Sequence, residues 1–254
     1  MTAHAWLFRR WYAYINRIDV HAELRFLNYG WANGDRPVPL EPADEPSRWC
    51  IHLYRHLADA AGLEGRDVVE IGCGRGGGLS YIARTYRPAT ALGVDLEPGA
   101  VSFCRHHYRE PGLAFVLGDA HDLPLRDGSC DVVLNLESSH RYRCMSRFLA
   151  ETRRILRPRG VLVLADFRHR TELPALEREL GGCGLRPRSE EDITGGVVRA
   201  LRRDDARRRR LVRQMIPWFA RRPALDFAGA VGTPTFRQFA SREMVYRQYV
   251  FDKA

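Results

Sequence analysis

Lysine is almost absent. Lys253 is the only one among 40 basic residues, which outnumber 31 acids and leave a formal charge of +9. Such a balance raises the prospect of a nucleic-acid partner. A base made almost wholly of arginine is also what a GC-rich genome writes on ordinary solvated surface, and no zinc-finger or nucleic-acid-binding signature accompanies it. The densest run, Arg207, Arg208, Arg209 and Arg210, follows Asp204 and Asp205 and precedes Leu211, Val212, Met215 and Ile216, the pattern of an amphipathic helix with a charged face. Long apolar runs are missing as well. Residues 161–165 and 132–136, the latter broken by Asn135, have the length of strands and fall far short of the roughly 18 residues of a membrane span. The opening residues mix Arg9, Arg10 and Arg17 with aromatics and lack the apolar core and small-residue cleavage site of an export signal. The six cysteines (Cys50, Cys73, Cys104, Cys130, Cys144 and Cys183) include no C-x-x-C pair, so neither a disulfide framework nor a zinc site is expected. These absences together point to a reduced, cytoplasmic chain without stable membrane insertion, acting on something other than nucleic acid.

Hydrophobic residues make up 45% of 254, enough for one sizeable core. Residues 3–18 carry Trp6, Leu7, Trp11, Tyr14 and Ile15 at helical spacing, and Ser47 is expected to cap a helix through Ala61 that Gly62 ends. Strands then alternate with helices. Strands are expected at 67–71, 90–94, 113–117, 131–136 and 161–165, and helices at 76–85, 98–108 and 145–156, the last stopped by Pro158 and Gly160. This rhythm predicts an α/β fold, a parallel sheet with helices on both faces and a binding crevice at the carboxyl ends of the strands. After Asp166 we expect helices at 172–180 and 190–219, a loop at 226–239 and a last strand at 244–251. The chain reads as a single domain, 1–254: an N-terminal helix and lid segment (1–46), a cofactor-binding core (63–170), a substrate cap (171–241) and a final strand (242–254).

Val68-Val69-Glu70-Ile71-Gly72-Cys73-Gly74-Arg75-Gly76-Gly77-Gly78 is a strand running into a glycine turn and then a helix. Glycines let the main chain turn tightly against a ligand, and the helix start offers free N–H groups to an anion. The glycine spacing alone also fits a dinucleotide fingerprint. Its setting narrows the reading. Glu70 precedes the first glycine by two residues, Asp95 ends the second strand where an acid can meet two ribose hydroxyls, and Asp119 follows the third strand. No second mononucleotide half follows.

This string resembles the class I S-adenosylmethionine-dependent methyltransferases, which implies a Rossmann-like fold with a mostly parallel seven-stranded sheet. By that resemblance Gly72, Cys73, Gly74 and Gly76 lie against the methionine part of the cofactor. Asp95 holds the ribose with Leu96 beside it at the cofactor, Asp119, Ala120 and His121 border the adenine, and Asn135 and Leu136 meet the amino end. No metal is expected, although His52 and His56 stand four apart on one helix. Residues 26–31, 40–48, 72–81, 134–140 and 246–251 resemble more narrowly the phthiotriol and phenolphthiotriol dimycocerosate methyltransferases, O-methyltransferases of a long lipid. The likeness is patchy over 171–232, where substrate selection is expected.

An aliphatic hydroxyl needs a base to become a nucleophile, and His140, after the fourth strand, is the candidate, with Glu137 as an orienter. His169 is held in reserve, and Asp166 either holds a substrate hydroxyl or caps its loop. Tyr29 and Trp31 resemble the aromatic segment that sterol-type methyltransferases place over the cofactor. Trp6, Trp11, Tyr14, Trp218, Phe219, Phe227, Phe236 and Phe239 are candidates for an apolar cap over a hydrophobic acceptor such as a lipid, polyketide or terpenoid natural product. Residues 1–18 also suit a subunit contact in a homo-oligomer or a membrane surface. Two other functions stay open: C-methylation of a prenyl alkene, and a methyltransferase-fold cyclase that leaves the methyl group unused.

Overall fold

The computed structural model describes residues 19, 22–34 and 38–254, so the helix expected at 3–18, with Trp6, Trp11 and Tyr14, lies outside the described residues. Seven strands form one sheet: β1 (Asp67–Ile71), β2 (Thr90–Asp95), β3 (Leu113–Leu117), β4 (Cys130–Leu136), β5 (Leu156–His169), β6 (Arg186–Asp192) and β7 (Met244–Asp252). Their order is β3-β2-β1-β4-β5-β7-β6. The first five strands pair in parallel, and β7 runs antiparallel between β5 and β6. Parallel neighbours require crossovers, and the chain supplies helical ones as α2 (Gly77–Tyr86), α3 (Pro98–His107) and α4 (Met145–Ile155), while α1 (Arg48–Ala61) precedes β1 and α5 (Leu173–Gly181) follows β5.

The period of two along each strand sorts the core into two layers. Val68, Val132, Leu134, Val161 and Val163 face α1, α2 and α3, whereas Val69, Val133, Leu162 and Leu164 face α4 and α5. The order reverses between β1 and β4, so the loops after β1, β2 and β4 open into one crevice. Over this end lie the cap helices α6 (Thr194–Met215), α7 (Arg221–Phe227) and α8 (Pro234–Ala240). The described part of the lid segment is tied to the same caps, Ala32 N–H donating to the Gly196 carbonyl at 3.1 Å.

Four local expectations need correction. Residues 190–192 belong to β6, not to a helix, and every side chain from Arg186 to Asp192 is exposed. An edge strand covered in charge carries no apolar alternation to read. The long helix α6 therefore starts at Thr194, and it stops at Met215 because Pro217 cannot continue it. The stretch 226–239 is not a loop but the end of α7 and most of α8, which Thr233 caps from its side-chain oxygen. Pro158 and Gly160 do not separate α4 from a distant strand. β5 starts at Leu156, and these residues form a bulge between the pairs Cys130↔Leu156 and Val132↔Val161, with Arg159 at φ +64°. Ser47 closes a short 3-10 turn and makes no side-chain cap bond to α1.

Candidate active site

The chain leaves β1 through Gly72, whose N–H donates to the Val94 carbonyl at 2.8 Å, and turns again at Gly74 and Gly76. Gly72 sits at φ +77°, and a Cβ there would fall 2.5 Å from Ser138 Oγ. Only glycine lets the loop after β4 lie this close to the turn. Asp95 ends β2 with its Oδ2 accepting from Gly74 N–H at 2.8 Å and its Oδ1 from Glu97 N–H at 2.9 Å. Burial raises this carboxyl, and those two backbone donors pull it back. Beside it Leu96 stands 54% exposed, an apolar side chain with an open face. Cys73 is buried against Gly93 and Cys104 and has its thiol pushed well up, so it serves as packing. Glu70 accepts from the Tyr54 hydroxyl at 2.7 Å, and burial pushes its carboxyl up to about 8.

Asp119, Ala120 and His121 form the far wall. Asp119 Oδ1 accepts from both the backbone and the Nδ1 of His121, at 2.9 and 2.6 Å. Burial alone would raise Asp119, but these two bonds hold it below the ordinary value. The His121 ring meets Tyr142 edge-on, and the Tyr142 hydroxyl lies 2.9 Å from Asn135 Nδ2. Asn135 also donates to the Ile71 carbonyl at 2.8 Å, tying the ends of β1 and β4. Its Oδ1 is buried without a partner, and Leu136 beside it is buried.

After β4 the backbone bends sharply. Glu137 adopts φ +46°, which an L residue holds only at a cost. The fold binds it on several sides: its N–H donates to the Ala165 carbonyl at 3.0 Å, and its Oε1 accepts from Tyr29 N–H at 2.8 Å and the Tyr246 hydroxyl at 3.0 Å. Burial pushes the Glu137 carboxyl up to about 8. Glu137 is thus a fastener between the lid segment, β4 and β7. The 3-10 turn that follows (Ser139–Arg141) sets His140 against Asp166 at the end of β5. Asp166 Oδ1 lies 2.9 Å from His140 Nδ1, while Oδ2 accepts from His140 N–H at 2.8 Å and from Ser139 Oγ at 2.6 Å. Burial would raise Asp166, yet the neighbouring His140 and Arg168 outweigh it and hold the carboxylate well below its usual range. Arg141 Nε donates to His140 Nε2 at 2.9 Å, so the proton of the neutral ring sits on Nδ1 and the lone pair on Nε2. Sequence reasoning left Asp166 with two other roles, because pairing across two strand ends separated by a helix carries no local signal.

Tyr29 belongs to this wall. Its ring meets Phe167 and Phe239 edge-on at 5.4 and 5.1 Å, and Phe167 lies 4.3 Å from the His140 ring. Trp31 does not. It stacks on His56 at 4.2 Å, and His56 in turn pairs with Glu191 of β6. β6 is four places from β1, about 19 Å at the usual strand spacing. The same pairing occupies His56, while His52 packs edge-on against Trp49. His169 pairs with Glu243 at 3.2 Å.

The charged face expected for the arginine run also needs revision. Arg208 is buried, 3.0 Å from Asp204, and donates to the carbonyls of Ala228, Asn28 and Tyr29 at 2.8, 3.2 and 2.9 Å. The Tyr29 residue is therefore held by Glu137 at its N–H and by Arg208 at its C=O. Of the expected cap rings, Phe236 and Phe239 are buried, but Trp218 and Phe219 are 80% and 71% exposed.

Residues 69–164 match the family model described as a methyltransferase domain. The chain is 41% identical over 250 residues to the phthiotriol/phenolphthiotriol dimycocerosates methyltransferase of Mycobacterium tuberculosis, covering 97% of this chain and 92% of that one. It is 39% identical over 246 residues to a fatty-acid O-methyltransferase of Mycolicibacterium smegmatis, covering 95% and 88%. Among solved structures, a geranyl diphosphate C-methyltransferase from Streptomyces coelicolor superposes with a TM-score of 0.69 at 18% identity, over 100% of this chain and 98% of that one. The cyclase SpnF does so with a TM-score of 0.72 at 18% identity, over 97% and 94%. At such identities the two structures attest the fold.

Proposed function

Because the chain belongs to the class I S-adenosylmethionine-dependent methyltransferases, in the family of the phthiotriol/phenolphthiotriol dimycocerosates methyltransferases, we propose that it methylates a hydroxyl of a hydrophobic lipid- or polyketide-type acceptor. The observation that carries the reading is the pairing of His140 with Asp166 beside the glycine turn.

The crevice suits the cofactor. Gly72, Cys73, Gly74 and Gly76 form a tight turn whose three glycines all lie at positive φ and whose main chain a ligand can approach, Asp95 accepts the ribose hydroxyls, and exposed Leu96 offers an apolar face to the base. Asp119, Ala120 and His121 border the adenine, the start of α2 meets the carboxylate, and Asn135 and Leu136 close the amino end. Glu70 acts behind the turn, through Tyr54. When bound, the cofactor supplies an electrophilic methyl on a cationic sulfur and leaves as S-adenosylhomocysteine.

The protein's own residues do the rest. Asp166 orients His140 so that the Nε2 lone pair faces outward, and the acceptor hydroxyl takes the place that Arg141 now fills. The hydroxyl proton passes to Nε2 as the oxygen attacks, and the buried carboxylate stabilises the imidazolium that forms. Tyr29, Phe167 and Phe239 exclude water and give an apolar chain a wall to lie against.

The test is His140→Gln. Methyl transfer should fall by about two orders of magnitude while the heat of cofactor binding stays unchanged. Near-normal turnover removes His140 from the mechanism. The same aromatic wall favours one second reading, C-methylation through a carbocation that the rings stabilise. NMR of the product distinguishes a new O–CH3 from a new C–CH3.

A further inference from the structure

Between Ala206 and Leu225 the chain carries seven arginines and no acid. The structure divides them. Arg207, Arg208 and Arg209 pair with Asp204 and Asp205 on α6 itself. Arg210, Arg213 and Arg222 are exposed, and Arg221 spends its donors on the Ile216 and Arg213 carbonyls. In the midst of these four cations the chain makes the 3-10 turn Trp218–Ala220, which holds up the two most exposed large apolar side chains among the described residues. Trp218 and Phe219 meet each other edge-on at 6.0 Å. Beneath the turn Val212, Ile216 and Ala224 form a small apolar cluster that anchors it.

Large rings standing in water are costly, and the exposed arginines that flank them along the chain disfavour a basic partner. Aromatics at the tip with cations at the rim match one environment, the interface of a bilayer with anionic headgroups. Among the described residues no helix is long and apolar enough to cross a membrane, so the contact is peripheral. The turn is also connected to the reaction site. It leads straight into α7, whose seven residues span about 10 Å. At the far end the Phe227 carbonyl accepts from the Tyr29 hydroxyl at 3.3 Å, and Ala228 is bound by Arg208.

We propose that the Trp218–Phe219 turn, with Arg210, Arg213 and Arg222 around it, docks the enzyme on an anionic lipid surface, from which the acceptor passes along α7 to the wall formed by Tyr29 and Phe167. The purpose of this surface rests on the hydrophobic-acceptor reading above; its existence is measured without turnover. The experiment is co-sedimentation of the full chain with vesicles of equal parts phosphatidylcholine and phosphatidylglycerol, against vesicles of phosphatidylcholine alone. Wild type should sediment with the anionic vesicles and be released by salt. Trp218→Ser/Phe219→Ser should weaken binding about tenfold or more. Arg210→Glu/Arg213→Glu/Arg222→Glu should weaken it about a hundredfold. All these side chains are exposed, so both variants should keep the wild-type melting temperature and cofactor affinity. Failure of wild type to bind, equal binding to both vesicle types, or undiminished binding by either variant overturns the proposal. So does light scattering that finds a wild-type dimer split by Trp218→Ser/Phe219→Ser, which would assign the face to a second copy. A chain that docks as stated but methylates no hydrophobic hydroxyl overturns the acceptor reading alone.

Discussion

Asp166→Asn is the most demanding test of the site. The Asp166 side chain is 2% exposed, and its two oxygens serve several donors. Oδ2 takes Ser139 Oγ and His140 N–H, with Arg168 at 3.1 Å; Oδ1 takes His140 Nδ1 at 2.9 Å and Phe167 N–H at 2.8 Å. Asparagine keeps the volume but has one acceptor oxygen. With that oxygen on the Oδ2 side, its NH2 group faces the Nδ1–H of His140. The ring escapes the clash by moving its proton to Nε2, which removes the lone pair that accepts from the substrate. Losing a charge-assisted hydrogen bond at a buried site costs about 1.5–3 kcal/mol, some ten- to a hundredfold in rate. Holding the wrong tautomer extends the loss toward roughly 10⁴-fold. We therefore expect methyl transfer from labelled S-adenosylmethionine to fall about 10²–10⁴-fold at saturating cofactor. The cofactor dissociation constant, measured by calorimetry, should stay within about threefold, because Asp95 and the glycine turn are untouched. A variant that keeps a third of the wild-type rate, or that loses rate and cofactor affinity in parallel, refutes the assignment of Asp166 as the orienter of the base.

Three further perturbations address the surrounding structure. Gly72→Ala places a methyl group 2.5 Å from Ser138 Oγ on a backbone at φ +77°; the strain is about 1–2 kcal/mol before the clash, so calorimetry should find cofactor affinity down about tenfold or more. Glu70→Gln keeps the acceptor for Tyr54 but removes a carboxyl that burial raises from 4.5 to about 8. A raised acid gives its full stability below the unfolded value and loses it as the pH climbs through the folded one, so the variant should gain on wild type between pH 4.5 and 8, approaching roughly 5 kcal/mol at the upper end. A melting-temperature gap that ignores pH would contradict this. Arg208→Met leaves Asp204 to Arg207 and three carbonyls short of a donor, and a loss of about 3–5 kcal/mol should lower the melting temperature by roughly 10 °C in a thermal scan.

Much of this protein was legible in one dimension because its determinants are local. Residues 67–71 and 113–117 match β1 and β3 residue for residue, since segments of five residues rich in apolar side chains and bounded by turn residues are too short for a helix. The turn Gly72–Gly76 and the acid at the end of β2 are equally local, and the family's cofactor follows from them. Tertiary structure alone decided the rest. It drew the charged edge strand β6, whose side chains bury nothing, and it put Arg208 inside a helix face that periodicity reads as solvated. It sent Trp31 to His56 and kept Tyr29 at the wall. It also brought Asp166, 26 residues distant, onto His140. The physical reason is the same in each case: a sequence records what each residue prefers among its neighbours in the chain, whereas a buried charge is set by the partner that a different strand or helix delivers to it.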